Sequence, residues 1–285
     1  MRTLMLDDQT ALVEGRDGFF LVNLNDVFIG RSIATYGEYN GAEALFLKRL
    51  VRANDCVVEV GANIGSHTVG LSKAAGPGGR VYAFEPQRAC YALLEAQIAL
   101  NRLGNVFAYR EALGRECGRL WLPPINYTAA GNFGGVALDA AETAGAEPIE
   151  VGTLDEHLTL ERCSLLKIDV EGMEEDVLRG GLRLIERTRP LLYVENDRVE
   201  KSASLVALIL ELGYRLWWHI PKLYSADNFF GIAHNLYGDV ASFNMLCCPE
   251  AYEATAGLIE IKSPADPHPL APAPNAPPYT VKYSF

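Results

Sequence analysis

Val57-Val58-Glu59-Val60-Gly61-Ala62-Asn63-Ile64-Gly65-Ser66-His67-Thr68, followed by Val81-Tyr82-Ala83-Phe84-Glu85-Pro86, decides the fold of this chain. An apolar run, a glycine turn, a helix start and a second apolar run ending on a carboxylate describe a β-α-β unit with a ligand site at its strand ends. Glycines let the backbone approach a ligand without a Cβ in the way. Glu85, at the tip of the second run, can accept hydrogen bonds from both hydroxyls of a ribose. The unit points to a nucleoside cofactor.

The glycine spacing separates the two main kinds. A dinucleotide site uses G-x-G-x-x-G, with the pyrophosphate on a helix N-terminus. This chain has Glu59-x-Gly61-x-x-x-Gly65 instead. An acid in front of the first glycine repels a pyrophosphate and suits a cofactor with a positively charged amino-acid end, which favours S-adenosylmethionine (SAM) over NAD.

Working outward, Ile64 to Ala75 reads as a helix stopped by Gly76-Pro77-Gly78-Gly79, and Arg80 to Phe84 as a strand. Arg88 to Leu103 is a helix with Leu94 and Ile98 one turn apart, and Val106 to Arg110 a third strand. Leu165 to Asp169 and Leu191 to Asn196 are further strands, each followed by a helix, the first from about Met173. The second helix keeps Leu205, Leu208, Ile209 and Leu212 on one face. Tyr214 to His219 and Phe243 to Cys248 complete the set, antiparallel to each other. Such alternation implies a parallel sheet with helices on both faces and ligands at the strand carboxyl ends.

Three segments flank or interrupt this core, which spans 55–262. In the extension, residues 1–54, Phe19 to Asn23 and Asp26 to Gly30 form a hairpin. A helix from Ala42 to Val51, with Leu45, Phe46 and Leu50 on one face, follows and carries Glu38 and Tyr39 toward the cofactor. From about 114 to 151, prolines and glycines break the alternation, leaving short strands at Arg119 to Leu122 and Ile149 to Val151. This insertion is either a lid carrying substrate specificity or surface decoration. After Lys262, seven prolines among small residues cannot build a core, which predicts an extended Pro-rich C-terminal tail over 263–285, packed only near Tyr279 to Phe285.

Composition narrows the classes. A net charge of −11 and a pI near 5.0 argue against a nucleic-acid substrate, which needs a basic surface. The six cysteines show no C-x-x-C pairing and read as small buried side chains of a cytoplasmic protein. No apolar run reaches the roughly 18 residues of a membrane span, and Asp7 and Asp8 interrupt any signal-peptide pattern. Oligomeric state is left open.

Val60-Gly61-Ala62-Asn63-Ile64-Gly65, Phe84-Glu85-Pro86, Lys167-Ile168-Asp169-Val170-Glu171-Gly172 and Val194-Glu195-Asn196 together resemble the FkbM family of SAM-dependent methyltransferases, from about Tyr36 to Leu246. The resemblance implies an α/β class I SAM-dependent methyltransferase fold, a Rossmann-like sheet of seven strands. It also implies O-methylation of a hydroxyl on a sugar, glycan or secondary metabolite, the family having N-methylating members too. Carried over residue by residue, Glu59, Gly61, Asn63 and Gly65 form the cofactor turn and Glu85 binds the ribose. Glu111, Ala112 and Leu113 lie at the adenine, and Asp169 lies beside the transferred methyl.

Asp169, Glu195, Asn196 and His219 fall at the carboxyl ends of strands and are the candidate catalytic groups, while Glu38, Tyr39 and Glu171 are candidates for contacting the acceptor. No metal is expected, although Asp169, Glu171, Glu195 and Asn196 carry the oxygens a divalent cation prefers. Blander roles stand beside these. Glu171-Gly172 also reads as shaping a turn, Glu195 as a partner of Arg198, His67 as packing, and His157 and His234 as surface or loop residues. An N-methyltransferase acting on a peptide or amide, and a SAM-binding module without catalysis, are the alternative functions.

Overall fold

Residues 3–249 and 255–271 are described by the computed structural model. The extension holds β1 (Thr3–Met5), β2 (Thr10–Glu14) and β3 (Phe19–Asn23), paired antiparallel, then α1 (Ile29–Tyr36) and α2 (Gly41–Leu50). The hairpin therefore lies one run earlier than expected, and the Asp26 to Gly30 run opens a helix. Asp26 is the cause. Its carboxylate accepts from the backbone N–H groups of Phe28, Ile29 and Gly30 at 3.1–3.2 Å, satisfying donors that a helix start leaves orphaned. In α2 the buried side is Glu43, Ala44, Leu47 and Leu50, while Leu45 is exposed. The helix is rotated from the expected face because the Glu43 carboxylate is drawn into a buried polar cluster.

The main sheet starts with β4 (Cys56–Val60), α3 (Thr68–Ala75), β5 (Arg80–Phe84), α4 (Arg88–Asn101) and β6 (Val106–Tyr109). α3 begins four residues later than expected, because Asn63 and Gly65 hold positive φ (50° and 83°), outside the helical region. The insertion, joined by the two residues before it, forms a small sheet of β7 (Ala112–Leu113), β8 (Gly118–Leu122) and β9 (Glu147–Gly152). Then come α5 (Leu154–His157), β10 (Leu165–Ile168), α6 (Glu174–Arg179), α7 (Leu182–Thr188), β11 (Leu191–Glu195) and α8 (Val199–Glu211). β12 (Arg215–His219), β13 (Asn244–Cys248) and β14 (Ile259–Ile261) close the sheet.

The spatial order is β6-β5-β4-β10-β11-β13-β12-β14. β6, β5, β4, β10 and β11 run parallel, and β13 is inserted antiparallel between β11 and β12. The seven expected strands are all present. β14 adds an eighth at the edge, antiparallel to β12. Successive residues of one strand serve opposite faces: Val57 packs with Leu47, Leu71 and Leu165, and Val58 with Leu166 and Leu192. Burial on both faces is what continuous apolar runs in a parallel sheet require.

Residues 263–271 depart from the extended tail expected of them. The Asp266 carboxylate accepts from Lys262 N and Ser263 N, and His268 is buried with its ring 4.9 Å from that of Trp218. An aromatic anchor, not proline, makes this stretch pack. The contact expected of Tyr279 to Phe285 falls outside the described residues. All six cysteines are free; Cys117 is exposed and four are buried. Among the described residues no helix is long and apolar enough to cross a membrane.

Candidate active site

A cavity of about 1160 Å³ opens at the carboxyl ends of β4, β5, β10 and β11. Its floor is the glycine turn. Gly61 has φ +83°, and a Cβ there would fall 1.7 Å from the Asp169 carbonyl oxygen. At Gly65 a Cβ would meet Leu94 at 2.8 Å, and that residue does not line the cavity. These glycines are required by turn geometry and by close packing against β10 and α4, rather than by room for a ligand as the sequence suggested.

Glu85 stands at the end of β5, 4% exposed, and its two oxygens accept from Asn63 N and Gln87 N at 2.8 Å each. Burial pushes its pKa up to about 7 against those two hydrogen bonds. Each carboxylate oxygen has a second lone pair, so the group retains capacity for two ribose hydroxyls. Asn63 lines the same wall, as do Glu111 and Ala112 further along. Glu111 is paired with His157, whose Nε2 is 2.9 Å from Oε2. His157 is thus tied to the rim of the site rather than left on a free surface.

Beneath the turn lies a buried charged cluster that the sequence did not disclose. Lys167 projects from β10, 2% exposed, with Nζ 3.0 Å from Asp169 Oδ2. Burial opposes its charge, but Asp169, Glu59 and Glu43 together hold its pKa above the ordinary value. Glu59 accepts from Thr68 Oγ1 at 2.6 Å, and burial lifts both Glu59 and Glu43 to about 7 despite Lys167. His67 borders the cluster, 7% exposed, and its Nδ1 has no hydrogen-bond partner among the described residues. Burial, then Lys167, depresses its pKa to about 3, so it stands as neutral imidazole. The one sequence signal was a lysine inside the apolar run Leu165-Leu166-Lys167-Ile168.

On the far side of Asp169 stand Glu171 and Glu195. One oxygen from each of the three carboxylates lies within 4.8 Å of the others, a grouping able to hold a metal ion. Arg198 binds Glu171 at 2.5 Å and Asp197 at 2.9 Å, so its partners are these and not Glu195. Glu171, held at φ 55°, is pushed up to about 8 by burial and by Asp169. Glu195 is raised well above the carboxylate range by burial, then by Asp169 and Glu171, and its Oε2 is buried without a hydrogen-bond partner among the described residues. Tyr39 also lines the cavity.

Three expected residues are placed elsewhere. Asn196 follows Glu195, and strand alternation turns it away: its Nδ2 donates to Ser202 Oγ at 2.9 Å, under α8. The His219 ring stacks on Phe46 at 3.9 Å, with Nδ1 2.8 Å from Tyr193 Oη, and burial pulls its pKa down to about 4. Glu38 pairs with Arg16 and accepts from Phe229 N at 3.2 Å, joining the extension to a later loop. None of the three borders the cavity.

The donor set fits SAM: an acid with free lone pairs for a ribose, carboxylates facing an amino-acid end, and an unpaired buried imidazole nitrogen. Together with a parallel sheet in which β13 is inserted antiparallel between β11 and β12, this defines a class I SAM-dependent methyltransferase fold. Residues 59–216 match the model of the methyltransferase FkbM domain, and the chain belongs to that family.

Methyltransferase 1 of Beauveria bassiana (strain ARSEF 2860) is 32% identical over 144 residues, covering 44% of this chain and 57% of that protein. Methyltransferase sdnD of Sordaria araneosa is 31% identical over 163 residues, covering 45% and 61%. The matches thus span only about three-fifths of either relative's length. Methyltransferase FkbM from Methylobacillus flagellatus KT, a crystal structure, aligns with a TM-score of 0.46 at 18% identity, over 68% of this chain and 43% of that one.

Proposed function

We propose that the chain is a SAM-dependent O-methyltransferase acting on a hydroxyl of a sugar, glycan or other small metabolite. The observation that carries this reading is the group Asp169, Glu171 and Glu195, three carboxylates within 4.8 Å on the cavity wall. When bound, SAM supplies an electrophilic methyl; the chain must hold the acceptor oxygen in line and remove its proton. Burial and the neighbouring negative charges raise Glu171 and Glu195, so these two acids hold protons above the ordinary carboxylate range. A base is most effective with a pKa near the working pH, and Glu171, at about 8, meets that condition. Arg198 fixes its side chain, and Tyr39 lines the same cavity. Alignment contributes up to about 7–11 kcal/mol in ideal cases, and a positioned base about 10² to 10⁴ in rate.

The deciding experiment incubates the protein with methyl-labelled SAM and a panel of sugars, phenols, polyols, amines and peptides, with products identified by mass spectrometry. Labelled ethers are expected, in EDTA as in magnesium, because Lys167 and Arg198 already supply positive charge to Asp169 and Glu171. Label only on nitrogen would overturn the O-methyl reading, and loss of turnover in EDTA would transfer the role of the three carboxylates to a bound cation.

A further inference from the structure

The loop joining β8 to β9 crosses the Glu85 end of the cavity. Gly134 lies against the glycine turn, where a Cβ would come 3.0 Å from Asn63 Nδ2, and Asn132 and Val136 continue the same wall. Besides the Asp139–Trp121 backbone pair that holds it to β8, the loop is fastened in two places. On one side it joins the extension: Val27 N donates to Gly131 O at 3.0 Å, Gly131 N to Asn25 O at 2.9 Å, and Asn23 Nδ2 to Tyr127 O at 2.9 Å.

On the other side one side chain holds it. Gln87 is 5% exposed; its Nε2 donates to Phe133 O at 2.8 Å and its Oε1 accepts from Tyr127 Oη at 3.1 Å. The backbone N–H of the same residue donates to Glu85 Oε1. Gln87 therefore connects the ribose acid directly to the loop that covers it. Lifting the loop breaks both of these hydrogen bonds and leaves Gln87 Oε1 only the weak donor Cys90 Sγ at 3.6 Å, which is costly for a buried amide.

We propose that this loop is a clamp over the nucleoside end of the cofactor, and that Gln87 is the positioning residue that closes it. The insertion then governs how long the cofactor stays rather than which acceptor is chosen. This rests on the SAM reading. Release of the nucleoside requires the Gln87 bonds to open first, whereas the acceptor side of the cavity, beyond Asp169, is walled by other segments.

The test measures S-adenosylhomocysteine binding and release in the full chain and in Gln87→Met, which keeps length and removes the hydrogen bonds. Dissociation is expected to quicken about three- to tenfold, the worth of one or two net hydrogen bonds, with little change in association rate. Hydrogen exchange supplies a readout that general loosening would not move. In the unsubstituted protein S-adenosylhomocysteine should slow exchange at Val27 and Gly131; in Gln87→Met the ligand should bind without slowing it.

Tyr127→Phe removes one of the two bonds without touching Gln87, and should shift dissociation in the same direction by less. If Gln87→Met fails to fold, this variant decides. Unchanged dissociation in the folded variants, or no ligand-induced slowing in the original protein, overturns the clamp alone. Failure of the unsubstituted protein to bind S-adenosylhomocysteine overturns the SAM reading itself.

Discussion

Lys167 Nζ lies 3.0 Å from Asp169 Oδ2, two residues apart at the end of β10, and the lysine is almost wholly buried while the aspartate is 34% exposed. Breaking a buried pair typically costs about 3–5 kcal/mol, and the exposure of Asp169 reduces that. Lys167→Met is therefore expected to lose about 1–3 kcal/mol in urea unfolding. The loss should be larger at pH 8 than at pH 6, because Glu43 and Glu59, at about 7, are mostly neutral at the lower pH. A variant as stable as the original at pH 8 would contradict the cluster's assigned charges.

Glu85→Gln is expected to weaken S-adenosylhomocysteine about ten- to a hundredfold by calorimetry, the worth of one charge-assisted hydrogen bond. The ionised acid accepts better than the neutral one, so affinity in the original protein should rise as pH rises through about 7. A flat profile would remove Glu85 from the ribose.

The same acids set a pH dependence of folding. Glu43, Glu59 and Glu85 have folded pKa values of about 7 against an ordinary glutamate value of 4.5, so the native state holds protons that the unfolded chain has released. Their stabilising contribution is complete below about pH 4.5 and is lost as pH rises through about 7. The ligand-free Tm is expected to fall between pH 5.5 and 8, and less steeply in Glu85→Gln; scanning fluorimetry tests both slopes.

His219→Ala separates catalysis from packing. The stack on Phe46 and the bond to Tyr193 predict a loss of about 1–2 kcal/mol in stability with transfer rate preserved at saturating substrate. A hundredfold fall in kcat with little loss of stability would restore His219 to the chemistry.

His268 makes the proposed acceptor side of the cavity testable. Its Nδ1 accepts from Leu270 N at 3.0 Å, so Nε2 carries the proton and donates to Asn196 O at 2.8 Å. Pro269, Leu270 and Ala271 thereby come to line the cavity. His268→Ala should raise the acceptor KM about three- to tenfold and leave S-adenosylhomocysteine affinity unchanged, with His268→Gln partly restoring KM. Equal damage to both ligands would mean a general structural role.

What was legible in the sequence was what short spacing determines. The strand ends at Val60, Phe84, Ile168 and Glu195 follow from local apolar runs, and Glu85 follows from its place after one of them. Side-chain direction past a strand end was not legible: Glu195 faces the cavity and Asn196 does not, because alternation reverses at each residue. Nor was the Glu43, Glu59, His67 and Lys167 cluster, whose members come from α2, β4, the α3 entry and β10 and meet only after folding. Asp26 misled because an apolar run behind a capping acid resembles a strand until the cap's hydrogen bonds are seen. The proline-rich composition near 263–271 likewise concealed a single buried histidine.

The matched family segment ends at 216, yet Leu223, Tyr237, Phe243 and Leu270 border the cavity from beyond it. Stretches before and after the matched segment, in the extension and beyond 216, thus complete the cavity lining. Grafting residues 220–243 and 263–271 from another member onto this sheet is then a route to a chimera with a new acceptor preference and an unaltered methyl donor.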